Sequence, residues 1–254
     1  MTRSAAKSEG LLKTTTMRPL HPLPILAACA IALAGCDRSD KAFDARIHSY
    51  LLAHPEVIQE AVNALQKKEQ AQASAQNQVA IGQSRPALEH DPRDFVANPN
   101  GRITLTEFYD YRCPHCVNAA PAVLKIIHDN PDVRVVFKEF PIFGADSDTA
   151  AAAAIAVKQA GGDYLGVYSD FMAARPLNAE AVQRILSAHG VDASRLQQPG
   201  FQKDASDQLL ATRHLAVALG LEGTPAFIVG DTVVPGEDMD AVRAAISAAR
   251  ARKG

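Results

Sequence analysis

Two cysteines separated by two residues are the part of this sequence best suited to chemistry. Cys113 and Cys116 enclose Pro114 and His115; the residues before them read as a strand and those after them as a helix. A thiol in the first turn of a helix lies at the positive end of the backbone dipole, which stabilises the thiolate, the nucleophile of disulfide exchange. The spacing therefore predicts a redox dithiol that exchanges disulfides with other proteins.

Three other interpretations of the cysteine pair compete with this one. A structural zinc site needs about four ligands, and the sequence has neither a second such pair nor a His-x3-5-His run near the first. An inert disulfide over so short a loop would constrain little of the chain. Two unpaired buried thiols would not suit an oxidising compartment. Copper or zinc binding through both thiols could coexist with redox chemistry, but we expect no resident metal and no other cofactor.

The start of the chain has the pattern of an export signal. Residues 1–22 carry four basic residues and one acid, and an apolar run follows that is too short to span a bilayer comfortably. Leu33-Ala34-Gly35-Cys36 resembles the bacterial lipobox, which implies acylation of Cys36 and a membrane anchor. Cleavage by an ordinary signal peptidase would instead release a soluble protein. With residues 1–36 as the signal, we expect the bacterial periplasm or cell envelope.

Composition and charge narrow the class of protein. The chain has 254 residues, of which 47% are hydrophobic and 21% charged, and its formal net charge is -2. This composition is typical of one globular domain with attachments, and the charge argues against nucleic acid as the main partner. Export places the protein where disulfides persist, and the mature chain then holds no cysteines in its main domain other than Cys113 and Cys116.

Helical patterns occupy the segment after the signal. Apolar residues recur at three- and four-residue spacing in two runs of residues 37–80, which are Phe43, Ile47, Tyr50 and Leu51, followed by Val57, Ile58, Ala61, Val62 and Leu65. We expect a helical extension whose stripe over residues 41–79 either joins copies into a homo-oligomer or packs on its own domain. Helix-breaking residues then predict a linker over residues 81–94.

The pattern around the cysteines predicts an α/β fold. Residues 102–109 and 132–140 read as buried strands, and the helix between them makes a parallel strand-helix-strand unit. Residues 146–220 read as an inserted helical domain. The sheet domain is therefore expected to comprise residues 95–145 and 221–254, the second part containing a hairpin and a closing helix.

Glu107 lies in the strand that leads to the cysteines and shares its row with apolar residues. If half buried there, its carboxyl would have a raised pKa and could relay a proton when Cys116 ionises. A solvated carboxylate at the edge of the sheet is the alternative.

The order of elements resembles that of the DsbA-like thiol:disulfide interchange proteins of the thioredoxin superfamily. The resemblance covers about residues 95–253 and depends on Glu-Phe-Tyr-Asp-Tyr-Arg-Cys-Pro-His-Cys at 107–116 and Gly-Thr-Pro-Ala-Phe at 223–227. It implies a thioredoxin fold with an inserted helical domain, preceded by an N-terminal helical extension. The Leu-x-x-x-Pro-Glu-Val-Ile run of that extension resembles the ScsC-like branch, in which such a segment oligomerises the protein.

The resemblance also implies roles for the residues of the motif. Cys113 would be the exposed nucleophile and Cys116 the resolving thiol, with Pro114 and His115 as the dipeptide that tunes them. His115 would donate a hydrogen bond to the Cys113 thiolate. Stabilising the reduced form in this way makes the disulfide a stronger oxidant.

Further roles follow for the Thr-Pro segment and for the buried acid. Pro225 would be the cis-proline of the fold, with the Thr224 backbone aimed at a bound substrate, and Glu107 would be the buried acid. Threonine before this proline is typical of isomerases, whereas Pro-His between the cysteines is typical of oxidases, so the sequence leaves both activities open. The expected partners are exported cysteine-containing proteins and a membrane redox partner; a non-catalytic peptide-binding, chaperone-like module is the alternative function.

Overall fold

The computed structural model of the protein describes residues 41–253. The described residues divide into two compact units, residues 41–67 and residues 68–253. The expected export signal and the lipidation site Cys36 lie outside the described residues. Across residues 41–253, no helix combines the length and hydropathy that crossing a membrane requires.

The described part of the first unit is helical. Helix α1 covers residues 41–53 and helix α2 begins at Glu56 and ends at Glu89, so the predicted helical extension is present. Many of its large apolar side chains are exposed, namely Phe43, Ile47, Tyr50, Leu52, Ile58, Val62 and Leu65. The apolar stripe that the sequence predicts is therefore available for contact with another surface.

The second unit contains a five-stranded sheet and the remaining helices. Its strands are β1 (Phe95–Ala97), β2 (Ile103–Tyr109), β3 (Val133–Glu139), β4 (Ala226–Val229) and β5 (Thr232–Pro235). Its other helices are α3 (Pro114–Asp129), α4 (Ala145–Gln159), α5 (Tyr164–Ala173), α6 (Ala179–Ala188), a 3-10 helix (Ala193–Gln197), α7 (Pro199–Ala218) and α8 (Met239–Lys253).

The sheet has the order β1-β3-β2-β4-β5, with the strand that leads to the cysteines at its centre. Strands β2 and β3 are parallel, as predicted, and Tyr109 pairs with Glu139 at the end where the cysteine helix begins. Strand β4 runs antiparallel to β2 and places Phe227 opposite Glu107. This arrangement brings the Thr-Pro segment just before β4 to the same end of the sheet as the cysteines.

Both faces of the sheet are covered, which explains why its strands are almost continuously buried. The larger core cluster joins one face, including Leu105, Val135 and Phe227, to helices α3, α5 and α8. A second cluster joins the other face, including Phe108 and Ile228, to α7 and the end of α2. The α/β fold class is confirmed by this layered arrangement.

The predicted linker over residues 81–94 is wrong for its first nine residues, because α2 continues to Glu89 despite Gly82 and Pro86. Ile81 and Leu88 are fully buried in the core of the second unit. Burying two such side chains contributes about 3–6 kcal/mol, which offsets a helix-propensity cost of about 4 kcal/mol for one glycine and one proline. Tertiary packing thus overrides the local helix-breaking signal.

The segment between β3 and β4 is helical, as predicted. Asn178 is the N-cap of α6, and its side chain accepts a hydrogen bond from the Ala181 amide at 3.0 Å. Buried residues of α4, α5 and α6 share the larger core cluster with the sheet.

Candidate active site

The cysteine pair begins helix α3, as the sequence predicts. Cys113 is the N-cap residue, with extended backbone (φ -72°, ψ 121°), and Pro114 follows as the first helical residue. Proline suits this position because its missing N–H would have no partner inside the helix. Cys116 lies in the first turn, and both cysteines are free thiols. The site is therefore in its reduced, dithiol form.

Cys113 is more enclosed than the resemblance implies. The expectation of an exposed nucleophile is wrong for this form of the protein, since only 2% of Cys113 is exposed. Its Sγ donates a hydrogen bond to the Thr224 carbonyl at 3.2 Å, and the Thr224–Pro225 peptide bond is cis. A thiolate has no proton to donate, so ionisation removes this contact. The thiolate then lies at the start of α3, where the positive end of the helix dipole stabilises it.

Cys116 and Glu107 lie together beneath Cys113. Burial raises the pKa of the Cys116 thiol well above its usual value, and negative charge on Cys113 and Glu107 raises it further. Glu107 is itself completely buried, so the alternative of a solvated edge carboxylate is wrong. Burial raises the pKa of Glu107 to about 8, although the Tyr168 hydroxyl, which donates to Glu107 Oε1 at 3.3 Å, opposes the shift. Glu107 is thereby a stronger base than an ordinary carboxylate, and its charge acts on the Cys116 thiol.

In this dithiol form, the polar partner of His115 is Glu237. Its Nδ1 lies 3.2 Å from Glu237 Oε1, and the side chains are 65% and 39% exposed. The hydrogen bond of the Cys113 thiol goes instead to Thr224. Glu237 follows β5 in the sequence and lies more than one hundred residues from the cysteines, so the local pattern gives no signal for it.

Asp110 is a second residue that the sequence analysis missed. This buried carboxylate accepts hydrogen bonds from four donors, of which three are loop amides and the fourth is a hydroxyl of α4. Oδ1 accepts from the Arg112 amide at 2.7 Å and the Ser147 hydroxyl at 2.9 Å, and Oδ2 accepts from the amides of Ile142 and Phe143 at 2.7 and 3.0 Å. The Asp110 side chain thereby joins the loop before Cys113 to the loop after β3. An acid directly between a buried strand and the cysteine motif is the signal that could have indicated it.

A carboxylate surrounded by tyrosines lies behind the site. Glu139 Oε1 accepts hydrogen bonds from the hydroxyls of Tyr109, Tyr111 and Tyr164 at 2.6, 3.0 and 2.7 Å. Burial raises the pKa of Glu139 to about 8, against the effect of these hydroxyls. Glu139 in turn raises the pKa of Glu107, although burial has the larger effect there. Tyr109 and Tyr111 flank the start of the cysteine loop, so this network supports the strand end from which the loop departs.

The structure brings together the residues that the sequence places in one site. Cys113, Cys116 and Glu107 converge with Thr224 and Pro225, and the Pro225 carbonyl accepts a hydrogen bond from the Gly236 amide at 2.8 Å. Among residues 41–253, no three His, Cys, Asp or Glu side chains converge in a way that could hold a metal ion. The chemistry that this arrangement supports is thiol exchange by the two cysteines themselves.

Two family descriptions match the sequence. Residues 104–247 match the DSBA-like thioredoxin domain, and residues 41–72 match the copper resistance protein ScsC N-terminal domain. The first match spans more than half of the chain and includes every part of the candidate site. The second coincides with α1 and the first part of α2.

Solved structures with this fold include two that are informative. A thioredoxin-like oxidoreductase from Silicibacter pomeroyi is 36% identical, with a TM-score of 0.60, over 67% of this chain and 98% of that chain. A periplasmic thioredoxin-like protein from Salmonella enterica serovar Typhimurium is 26% identical, with a TM-score of 0.59, over 66% of this chain and 95% of that chain.

Three curated relatives also match. A probable disulfide bond formation protein D of Bacillus cereus is 25% identical over 57% of this chain and 72% of its own length. Two Na(+)/H(+) antiporters of Salinispora species are each 28% identical, and the chain spans only 22% and 25% of the length of these relatives.

Proposed function

Since this chain belongs to the family of DSBA-like thioredoxin domains, we propose that it is a thiol:disulfide oxidoreductase that forms or rearranges disulfides in exported proteins through Cys113 and Cys116. The observation that carries the proposal is the position of the pair. Cys113 begins a helix beside the Thr224 carbonyl, and Cys116 lies beneath it next to the buried Glu107. Pro114 and His115 complete the first turn.

In the oxidative direction, a substrate thiolate attacks Cys113 Sγ of the protein disulfide. The S–S bond to Cys116 breaks, and the Cys116 thiolate takes a proton from Glu107. A second substrate thiolate then attacks the mixed disulfide and releases the Cys113 thiolate. Two electrons pass from the substrate to the protein, so the substrate gains a disulfide and the protein becomes the dithiol. In the reverse direction, Glu107 takes the Cys116 proton as that sulfur displaces the substrate.

The two cysteines have different roles in this exchange, which gives the first test. Cys113→Ser should abolish both the oxidation of a reduced test protein and the reduction of insulin, because no mixed disulfide can form. Cys116→Ser should instead accumulate mixed disulfides with Cys113, detectable on non-reducing gels and by mass spectrometry. Exchange rates unchanged in Cys113→Ser would contradict the proposal and favour the peptide-binding, chaperone-like alternative.

We infer that the protein acts in the bacterial periplasm or cell envelope, with Cys36 as the lipid attachment point. The inference is supported by the basic and apolar pattern of residues 1–36 and by the similarity to a periplasmic protein of Salmonella. Cys36→Ala should move the full chain from the membrane fraction to the soluble periplasmic fraction. A Cys36→Ala chain that stays with the membrane fraction would contradict acylation at this residue.

The preferred direction of exchange is testable in cells. An oxidase should be recovered with Cys113 and Cys116 as a disulfide, kept so by a membrane redox partner. An isomerase or reductase should be recovered as the dithiol and should assemble through residues 41–79. Alkylation of free thiols in intact cells, followed by a gel-shift measurement, distinguishes these states.

A further inference from the structure

Glu237 is placed to control the histidine of the dithiol motif. It lies in the turn between β5 and α8, and its Oε1 is 3.2 Å from His115 Nδ1. The turn is fixed on both sides of Glu237, because the Gly236 amide donates to the Pro225 carbonyl at 2.8 Å and the Met239 amide donates to the Glu237 carbonyl at 2.9 Å. Glu237 is thereby tied to the proline segment that meets Cys113.

The charge of this carboxylate opposes the effect of the histidine. A cationic imidazole near the Cys113 thiolate stabilises the reduced form and makes the disulfide a stronger oxidant. A carboxylate in contact with that imidazole cancels much of its positive charge and holds the ring by Nδ1. The nearby cation Arg112 is itself engaged, since its Nη1 donates to the Phe143 carbonyl at 3.1 Å and lies 3.5 Å from Asp146.

We propose that Glu237 is a positioning residue that restrains His115 and makes the Cys113–Cys116 disulfide a weaker oxidant than a Cys-Pro-His-Cys site with an unpaired imidazole. The inference rests on the proposed function and deepens it, because the sequence leaves oxidase and isomerase open. A motif typical of strong oxidants is here combined with an acid that moderates it. The moderating residue, Glu237, lies in the turn after the hairpin and not in the cysteine motif.

The test is the equilibrium of the full-length protein with reduced and oxidised glutathione at pH 6. The pH is held constant, so that the side chain at position 237 is the only difference between the proteins that are compared. Glu237→Gln should shift the equilibrium constant toward the dithiol by about two- to five-fold, the range of an exposed ion pair. Asp240→Asn is the matched control, because it removes a nearby exposed acid that pairs with Arg243, and it should leave the constant unchanged.

The same substitution made in the His115→Ala protein shows whether Glu237 acts through the histidine. In His115→Ala, the further change Glu237→Gln should have no effect, since its target is absent. An unchanged constant in Glu237→Gln, a shift toward the disulfide, or an equal effect in the His115→Ala background would overturn the inference. A wild-type protein that reaches no equilibrium with glutathione would instead contradict the proposed function itself.

Discussion

Among single residues, Glu107 is the group that most directly limits the chemistry of Cys116. A buried thiol with a strongly raised pKa cannot ionise quickly unless a base lies close to it, and Glu107, whose own pKa is raised by burial to about 8, is a stronger base than an ordinary carboxylate. We expect Glu107→Gln to slow resolution of the mixed disulfide by about ten-fold or more. The reaction of Cys113 with an alkylating agent should change little.

The pH dependence of mixed-disulfide resolution supplies the control for the Glu107→Gln prediction. In the wild-type protein, the rate of resolution should rise as Glu107 ionises, up to about pH 8. In Glu107→Gln the change of slope near pH 8 should disappear, and resolution should be slower wherever the wild-type carboxylate is ionised. Rapid-quench measurement of mixed-disulfide decay at several pH values would show it. An identical pH profile in both proteins would exclude a proton-relay role for this residue.

Glu139 affects the stability of the folded protein because its pKa, like that of Glu107, is raised by burial. Its pKa is raised from 4.5 to about 8 by burial, so between these pH values the folded protein retains a proton that the unfolded chain loses. The stability that Glu139 contributes by keeping this proton is fully present below about pH 4.5 and is lost as the pH rises toward 8. Glu139→Gln cannot ionise, yet it still offers an oxygen to the three tyrosines. We expect it to exceed the wild-type free energy of unfolding at pH 8.5 by on the order of 3 kcal/mol, measured by urea titration.

The comparison with pH 5 makes this result specific. At pH 5 the free energies of unfolding of Glu139→Gln and wild type should nearly agree, because both side chains are then neutral in the folded state. Glu139→Leu is a useful contrast, since it leaves the hydroxyls of Tyr109, Tyr111 and Tyr164 without their shared acceptor. It should be destabilised at every pH. A constant difference between wild type and Glu139→Gln across the pH range would contradict the shifted pKa.

At the level of elements, a buried ion pair fixes the last turns of α2 to the sheet. Lys138 of β3 and Asp94 before β1 are both nearly inaccessible and in direct contact, and Lys138 Nζ also donates to the Ala87 carbonyl of α2 at 2.5 Å. Burial raises the pKa of Asp94 to about 6, and Lys138 opposes that shift. Removing one partner of such a pair leaves the other charge buried and uncompensated.

The expected cost of breaking this pair is large. Lys138→Met should lower the free energy of unfolding by about 3–5 kcal/mol. The double variant Lys138→Met/Asp94→Leu should recover most of this loss, because it removes both charges and keeps apolar volume. Urea unfolding of the two variants beside wild type measures the difference. A double variant less stable than Lys138→Met alone would contradict this explanation. It would show that the two side chains do more than offset each other's buried charge.

The elements also show which features local sequence can predict. The strand before Cys113, the helix after it and the hairpin after Pro225 follow from alternation, spacing and turn residues. The continuation of α2 through Gly82 and Pro86 depends on burial of Ile81 and Leu88 against a distant part of the chain. A lysine in a strand is ordinarily solvated, and only the fold gives Lys138 its buried partner.

The candidate site likewise contains some features that local sequence predicts and others that depend on distant parts of the chain. Cys113, Cys116 and Glu107 lie within ten residues of one another, so their association could be predicted. The burial of Cys113 beneath Thr224 and the contact of His115 with Glu237 join residues more than one hundred positions apart. Local patterns carry no information on such contacts. They predict the reacting atoms and the nearby acid, but not the contacts that come from distant parts of the chain.

At the scale of the whole molecule, the exposed apolar stripe of α1 and α2 is the feature that bears on assembly. Ile58, Val62 and Leu65 are 53%, 42% and 55% exposed, and residues 41–72 match the ScsC N-terminal domain. Contiguous exposed apolar side chains are typical of interaction surfaces. We propose that this stripe joins copies of the chain into a homo-oligomer.

The oligomer prediction is tested by one charge placed in the stripe. Ile58→Glu should lower the mass measured by light scattering to that of a single chain, because an unpaired carboxylate would be buried in the contact. The substitution should not unfold the chain, since exposed positions usually tolerate change within about 0.5 kcal/mol. Gln59→Glu adds the same charge at the adjacent exposed residue and should retain the wild-type mass. A wild-type chain that is already monomeric at micromolar concentration, or an Ile58→Glu chain with unchanged mass, would contradict assembly through this stripe.

If disulfide isomerisation requires assembly, Ile58→Glu should also reduce rearrangement of scrambled substrates while leaving simple oxidation by Cys113 intact.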